Sequence, residues 1–236
     1  MSVPADRNGA AEPAPDYHGH RARLRERLLA HGGEGMHDYE LIEYLLALAL
    51  PRRDTKPLAK ALLAEFGGIG ALMAAPPEDL TRIKGMGETS VAAIKIAQAT
   101  ALRMLRVEAA SRPVLANWQA LLDYLQADMA HHFIERVRVL HLNTRNMLLR
   151  DELIAEGTID EAAVHVRQVL KRAMDLGSAA IILVHNHPGG DPAPSRADIE
   201  LTRAIAAALK VPGIALHDHI IIGRQGHVSL RAQGLI

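Results

Sequence analysis

The spacing of apolar residues changes at residues 111–113, and this change constrains the fold more than any other feature of the chain. Before it, apolar side chains recur every three or four residues, as in amphipathic helices. After it, residues 135–143 alternate between apolar and polar, and residues 179–187 form an apolar, β-branched run, as strands do. We therefore predict an α+β protein, with an all-α domain over residues 18–112 and an α/β domain, a mixed sheet flanked by helices, over residues 113–236.

Glycine, proline and capping residues divide the two halves into elements. In the first half they predict helices over residues 20–32, 38–50, 55–68 and 76–110, the last being a short helix, a glycine hairpin and a long helix. In the second half they predict helices over residues 117–130, 163–177 and 195–211, and strands over residues 135–143, 151–159, 179–187, 217–223 and 227–230. Residues 1–17 are rich in Ala, Pro and charge and show no period, so we predict a disordered tail there.

Composition limits the classes of function. Basic and acidic residues balance at 27 each, which removes the simplest argument for a nucleic-acid or anionic-membrane partner. The sequence has no cysteine, so a transition metal would have to be held by histidine and carboxylate. The N-terminal residues carry no basic leader with an apolar core, and no run approaches the roughly 18 apolar residues of a membrane span. We therefore expect a cytoplasmic protein without a membrane partner.

The stretch HNHPGGDPAPSRAD, residues 185–198, concentrates potential metal ligands at the end of an apolar strand. Because residues i and i+2 of a strand share a face, His185 and His187 should project side by side. Ser195 and Asp198 have the spacing of a helix N-terminal cap, which is one interpretation of them. The other is that Asp198 joins the two histidines and leaves a fourth position open, as in catalytic zinc sites. The pattern alone leaves both interpretations open, along with that of incidental turn histidines.

Two neighbouring polar groups are expected to have smaller roles. Asp191 lies in a Gly-Gly-Asp-Pro turn, where its side chain should bond the local backbone. The sequence HDH at residues 217–219 repeats the i, i+2 spacing of histidines, but no carboxylate pattern follows it. We predict that these histidines lie at a strand edge or outside the ligand set.

A second constellation, LTRIKGMGETSVAAIKIA, resembles the helix-hairpin-helix module. In such modules, backbone N–H groups of the hairpin and of the following helix hold a DNA phosphate without reading bases. The groups that would contact the phosphate belong to Lys84, Gly85, Gly87 and either Thr89 or Ser90. A tight turn between two helices remains the alternative interpretation.

The spacing His185-x-His187, seven residues, Ser195, two residues, Asp198 resembles the JAMM (MPN-plus) metalloprotease motif. The sequence around this motif is similar to the RadC family in particular: it reads HNHPGGDPAPSRADI, with GTID upstream and DHIIIG downstream. The stretches GHRARLRERLLAHG and IKGMG in the first half are also similar to that family. This resemblance covers nearly the whole chain. It implies an MPN-type (JAB) fold that binds one zinc ion per chain through His185, His187 and Asp198.

The resemblance also implies catalytic roles. Glu135, at the start of strand 135–143, would hydrogen-bond the zinc water, take its proton as general base and return it to the leaving amine. Glu152 and Glu156 remain alternatives for that base. Ser195 would assist by hydrogen bonding near the metal water or the developing oxyanion.

These residues support two main hypotheses of function. The first is a zinc-dependent hydrolase that cleaves a peptide or isopeptide bond of an unknown protein or peptide substrate. The second is a DNA-binding repair or recombination accessory protein that contacts backbone phosphates and has a non-catalytic metal site. A metal-dependent nuclease is a third possibility, but one zinc ion lacks the paired-metal clamp that is common in phosphoryl transfer.

Overall fold

A computed structural model describes residues 17–157 and 164–236. The predicted helices and strands are present, with ends shifted by a few residues. The helices are α1 Tyr17–His31, α2 Asp38–Ala49, α3 Lys56–Phe66, α4 Ile69–Ala74, α5 Pro77–Arg82, α6 Glu88–Ala110, α7 Trp118–Met129, α8 Val166–Asp175 and α9 Arg196–Lys210. The strands are β1 Glu135–Leu142, β2 Leu148–Gly157, β3 Ala180–Asn186, β4 Ala215–Gly223 and β5 Gly226–Ser229.

The differences from the predicted elements are small and have local causes. Helix α4 was not predicted, because its six residues follow the glycines that end α3 and are too few to show a period. Strand β2 begins at Leu148, three residues before the predicted start. The predicted tail falls outside the described residues except for Tyr17, the first residue of α1. The last two residues of the predicted strand 151–159 also fall outside them.

The helical first half packs around its own core. Buried side chains of α2, α3, α4 and α6 meet there, joined by Met86 of the glycine hairpin. The 23-residue helix α6 then leaves this core and reaches the second one, where Ala109 packs with α7 and the sheet. One continuous helix therefore connects the two cores.

The second half is a five-stranded mixed sheet with the order β2-β1-β3-β4-β5. β1 is antiparallel to β2 and to β3, whereas β3 and β4 are parallel because α9 carries the chain between them. Helix α7 packs on one face of the sheet, against Leu140, Ile182 and Ile220. Helices α8 and α9 cover the other face, against Val139 and Leu183. The structure is therefore α+β, with the predicted mixed sheet between helices.

Strand β3 lies in the middle of this sheet, and all seven of its residues are buried. Its carboxyl end therefore presents side chains to both helical layers. Within residues 17–157 and 164–236, no helix is both long enough and apolar enough to cross a membrane.

Candidate metal centre

Three predicted ligands meet where β3 ends and α9 begins. The candidate ligand atoms of His185, His187 and Asp198 all lie within 4.8 Å of one another. The two Nε2 atoms are 2.9 Å apart, and Asp198 Oδ1 lies 3.3 Å from His185 Nε2. Because β3 leads through a short loop into α9, the strand's end and the helix's first turn lie side by side.

The ring of His187 is held from behind by the turn that follows it. Its Nδ1 lies 2.9 Å from the carbonyl oxygen of Asp191. A carbonyl only accepts hydrogen bonds, so Nδ1 carries a proton, and the ring in its neutral form presents an Nε2 lone pair to the cluster. The Asp191 carboxylate accepts a hydrogen bond from the Ala193 N–H at 3.0 Å, as the turn pattern predicted.

Asp198 is both a helix-capping residue and a member of the cluster. Its Oδ2 accepts hydrogen bonds from the Ser195 N–H at 2.7 Å and from the Ser195 hydroxyl at 2.6 Å. The Asp198 N–H donates in return to Ser195 Oγ at 3.1 Å, which completes a capping box. The capping and ligand interpretations of this pair are therefore compatible, because Oδ1 still faces His185.

The electrostatics of the cluster favour a bound cation. Burial lowers the pKa of His185 to about 4, so its ring is neutral near pH 7. The hydrogen bond to Asp198 raises the pKa of His187. Burial alone would raise the pKa of Asp198, but interactions with His187, His185 and Ser195 hold it below its usual range. A carboxylate that stays ionised and holds a proton on a neighbouring imidazole would hold a metal ion in the same way.

The donor set fits zinc. Two imidazole nitrogens and one carboxylate oxygen are ligand types that zinc takes in catalytic sites, where three protein ligands leave one position open. With its proton on Nδ1, each neutral ring would direct an Nε2 lone pair at the other over 2.9 Å. A shared cation removes that repulsion and satisfies both atoms.

Glu135 lies on the same side of the sheet as the cluster. Val137 pairs with His185 between β1 and β3, so Glu135, two residues earlier on the same face, lies beside His187. Glu135 and the three candidate ligands line one cavity of about 570 Å³. Burial raises the pKa of Glu135, the charge of Asp198 adds to that shift, and His187 opposes it.

The two alternative glutamates lie elsewhere. Glu156 pairs with Arg136 on the opposite face of the sheet and accepts a hydrogen bond from its Nε at 2.9 Å. Glu152 accepts one from Arg172 Nε, also at 2.9 Å, on the edge strand. Neither residue lines the cavity that contains the cluster.

Asn186, between the two histidines, is a functional candidate that the sequence analysis did not identify. Its side chain points to the opposite face of β3, where Oδ1 accepts a hydrogen bond from the Arg136 N–H at 2.8 Å. Its Nδ2 donates to the carbonyl oxygen of Ile134 at 3.2 Å. These bonds hold the backbone on both sides of Glu135. The available signal was a polar residue inside a buried strand, which must find hydrogen-bond partners.

The second histidine of the HDH sequence contacts the cluster from outside. His219 is 1% exposed, and its Nε2 lies 2.8 Å from Nδ1 of His185. Burial lowers the pKa of His219 to about 3. His217 instead lies 2.7 Å from Asn146 Oδ1, away from the site. Neither histidine belongs to the cluster of candidate ligands, but His219 contacts His185 and lines the same cavity.

The glycine hairpin lies in the helical half, between α5 and α6. Met86 is buried in the helical core, whereas Lys84, Gly87 and Thr89 are exposed. Gly85 has a φ of +103°, a backbone conformation that favours glycine. The Ser90 hydroxyl bonds the Gly87 backbone, so Thr89 is the freer of the two candidate hydroxyls.

A mixed sheet between helices, with two strand-end histidines and a helix-start aspartate, defines a JAB-domain protein. The RadC-like JAB domain family matches residues 115–235, and the UPF0758 N-terminal family matches residues 19–92. The chain is 51% identical to a UPF0758 protein from Rhodobacter capsulatus over 213 residues, 90% of this chain and 100% of that one. It is 46% identical to one from Ruegeria pomeroyi over 217 residues, 92% and 97% of the two chains. The chain therefore belongs to the RadC family, as its motifs predicted.

Proposed function

We propose that this protein is a zinc-dependent hydrolase that cleaves peptide or isopeptide bonds. The observation that carries the proposal is the convergence of His185, His187 and Asp198 in an open cavity that Glu135 also lines. Three protein ligands beside a cavity are typical of catalytic zinc sites, whereas structural sites are closed by four.

In this proposal, different residues bind the metal and transfer the proton during hydrolysis. Zinc, when bound, supplies a Lewis acid and lowers the pKa of water to about 7. The Glu135 carboxylate takes a proton from the attacking water and delivers it to the nitrogen of the leaving amine. The water oxygen bonds to the carbonyl carbon to give a tetrahedral oxyanion, and the C–N bond breaks once the nitrogen has received that proton. The partly buried position of Glu135 raises its pKa, which makes it a stronger base than an exposed glutamate.

Ser195 contributes mainly through Asp198. Its hydroxyl proton points to Asp198 Oδ2 and its oxygen accepts from the Asp198 N–H, so both atoms orient the carboxylate. The resemblance implies hydrogen bonding of Ser195 near the metal water or the developing oxyanion, and donation to the oxyanion requires its hydroxyl to turn away from Asp198.

Metal content and metal-dependent hydrolysis test this proposal together. Elemental analysis of the purified protein should find about one zinc per chain. A chelator should abolish hydrolysis of peptide or isopeptide substrates, and added zinc should restore it. Magnesium should not restore it, because imidazole ligands suit zinc better. A protein that takes up no zinc after reconstitution would rule the proposal out.

Contact with DNA is a second candidate function, and the geometry of the glycine hairpin favours it. Met86 anchors the hairpin in the helical core, and this leaves Lys84, Gly87 and Thr89 exposed at its tip. The N-terminus of α6 follows directly, so its free N–H groups and partial positive charge face the same solvent. A hairpin that contacts one phosphate in this way would bind DNA without sequence preference.

Salt dependence tests the DNA contact. Lys84→Ala should weaken binding uniformly across sequences and reduce the slope of log K against log salt by about 1. Lys171→Ala is the matched control, because Lys171 is an exposed lysine that pairs with Asp175 on α8. Fluorescence anisotropy with two unrelated duplexes measures both effects. An unchanged slope for Lys84→Ala, or a wild type that binds neither duplex, would exclude this contact.

A further inference from the structure

Beside His185 lies a buried chain of hydrogen bonds that the proposed mechanism does not use. His219 on β4 and Thr202 on α9 are 1% and 0% exposed. His219 Nε2 is 2.8 Å from His185 Nδ1, and His219 Nδ1 is 2.5 Å from Thr202 Oγ1. Thr202 Oγ1 is in turn 2.5 Å from the backbone carbonyl oxygen of Asp198. The chain therefore links the strand that carries one ligand to the helix that carries another.

The direction of these bonds follows from the carbonyl end. The Asp198 carbonyl oxygen has no proton, so the Thr202 hydroxyl must donate its single proton to it. Thr202 Oγ1 then has only lone pairs for His219, and His219 must donate from a protonated Nδ1.

The same reasoning extends to the metal ligand. His219 is buried and its ring nitrogens face a hydroxyl and another imidazole, so it is neutral with an unprotonated Nε2. That Nε2 accepts from Nδ1–H of His185. The neutral His185 ring then has no proton on Nε2, the nitrogen that faces His187 and Asp198.

We propose that Thr202 and His219 are positioning residues that preset the tautomer of His185 for metal binding. This inference rests on the proposed function, because it assumes that the cluster binds zinc. Without the Thr202 oxygen, His219 can move its proton to Nε2 and donate to His185. His185 would then accept at Nδ1 and carry its own proton on Nε2, the nitrogen needed for the metal. Loss of a partner that orients a histidine ligand typically lowers metal affinity by about 10–100-fold.

Near-isosteric variants of Thr202 test this hydrogen-bond chain from Thr202 through His219 to His185, called the relay below. Thr202→Val keeps the shape and removes the hydroxyl, and we expect it to raise the Kd for zinc by about 10–100-fold. Thr202→Ser keeps the hydroxyl and removes only a methyl group that makes no hydrogen bond. Its Kd for zinc should therefore stay within about threefold of the wild-type value. Competition against a chromophoric chelator measures both constants. Thermal unfolding of the metal-free proteins shows whether each variant is folded.

A tautomer measurement separates positioning from a general structural role. Two-bond ¹H–¹⁵N spectra of the metal-free protein should show His185 protonated on Nδ1 in the wild type and in Thr202→Ser. In Thr202→Val the signal should shift toward protonation on Nε2. A structural contribution of Thr202 alone would change stability without moving this proton.

A change at His219 provides a test of coupling between the two residues. In His219→Gln an amide oxygen can accept from His185 whether or not Thr202 has a hydroxyl. In that background, Thr202→Val should cost little zinc affinity, since coupled residues show non-additive effects. An equal loss in both backgrounds, or a wild-type Kd and tautomer in Thr202→Val, would overturn the relay while leaving the hydrolase proposal intact. A wild-type protein that binds no zinc would overturn both.

Discussion

Replacement of Glu135 by glutamine is expected to lower the rate of hydrolysis by about 10²–10⁴-fold, the usual contribution of a general base. Zinc should remain at about one ion per chain, because the three candidate ligands do not include Glu135. Glutamine has nearly the same shape but can neither take the proton of the attacking water nor return it. Single-turnover kinetics and elemental analysis on the same preparation measure the two quantities.

Glu156→Gln is the matched control for this substitution. Glu156 is a glutamate of the neighbouring strand, but it pairs with Arg136 on the opposite face of the sheet. That pair is partly exposed, so its loss should cost at most about 1 kcal/mol of stability and little activity. If Glu156→Gln were the inactive variant, the assignment of Glu135 as the general base would be wrong, and the base would lie on the opposite face of the sheet. If Glu135→Gln lost zinc and activity together, Glu135 would support the metal instead of acting as a base.

The double variant His185→Ala, His187→Ala is expected to lose all bound zinc and all hydrolysis. A single carboxylate, Asp198, would remain of the candidate ligands, and one ligand does not hold zinc against water. Elemental analysis after dialysis against zinc-free buffer gives the stoichiometry. Circular dichroism gives the fold.

His217→Ala is the matched control for the loss of histidine. His217 lies in the same half of the chain but pairs with Asn146 instead of the cluster. This variant should keep about one zinc ion per chain and its activity. Zinc retained by the folded double variant would place the metal elsewhere in the protein, and the proposed centre would be wrong.

The parts of the fold that were predicted correctly depend on local pattern. The apolar run of β3 and the alternation of β1 give strands, and glycine or proline ends most of the helices. The candidate ligands are also close together in the sequence. His185 and His187 share a strand face, and Asp198 belongs to a capping box that begins eight residues after His187.

The supporting residues could not be predicted because they depend on which strands are neighbours. Contact between His219 and His185 requires that β4 lie parallel to β3 in one particular register. Asn186 holds the chain around Glu135 because β1 lies on the other side of β3. The HDH sequence was visible, but its spacing carries no information about strand order. Sheet order and register arise from long-range packing, which a single sequence does not specify.

The position of Asn186 between the two histidines has a consequence for how such a site can change over time. One strand presents the histidine ligands on one face and, through Asn186, holds the segment that carries Glu135 on the other. The spacing between the proposed base and His185 is therefore set by adjacent residues of a buried strand, whereas the loop after β3 positions His187 and Asp198. Loops around the cavity other than the one after β3 can lengthen, shorten or diverge to suit new substrates while the proposed reacting groups keep their places. Relatives that keep this sheet would therefore keep the proposed reaction, while changes in the surrounding loops alter which substrates they accept.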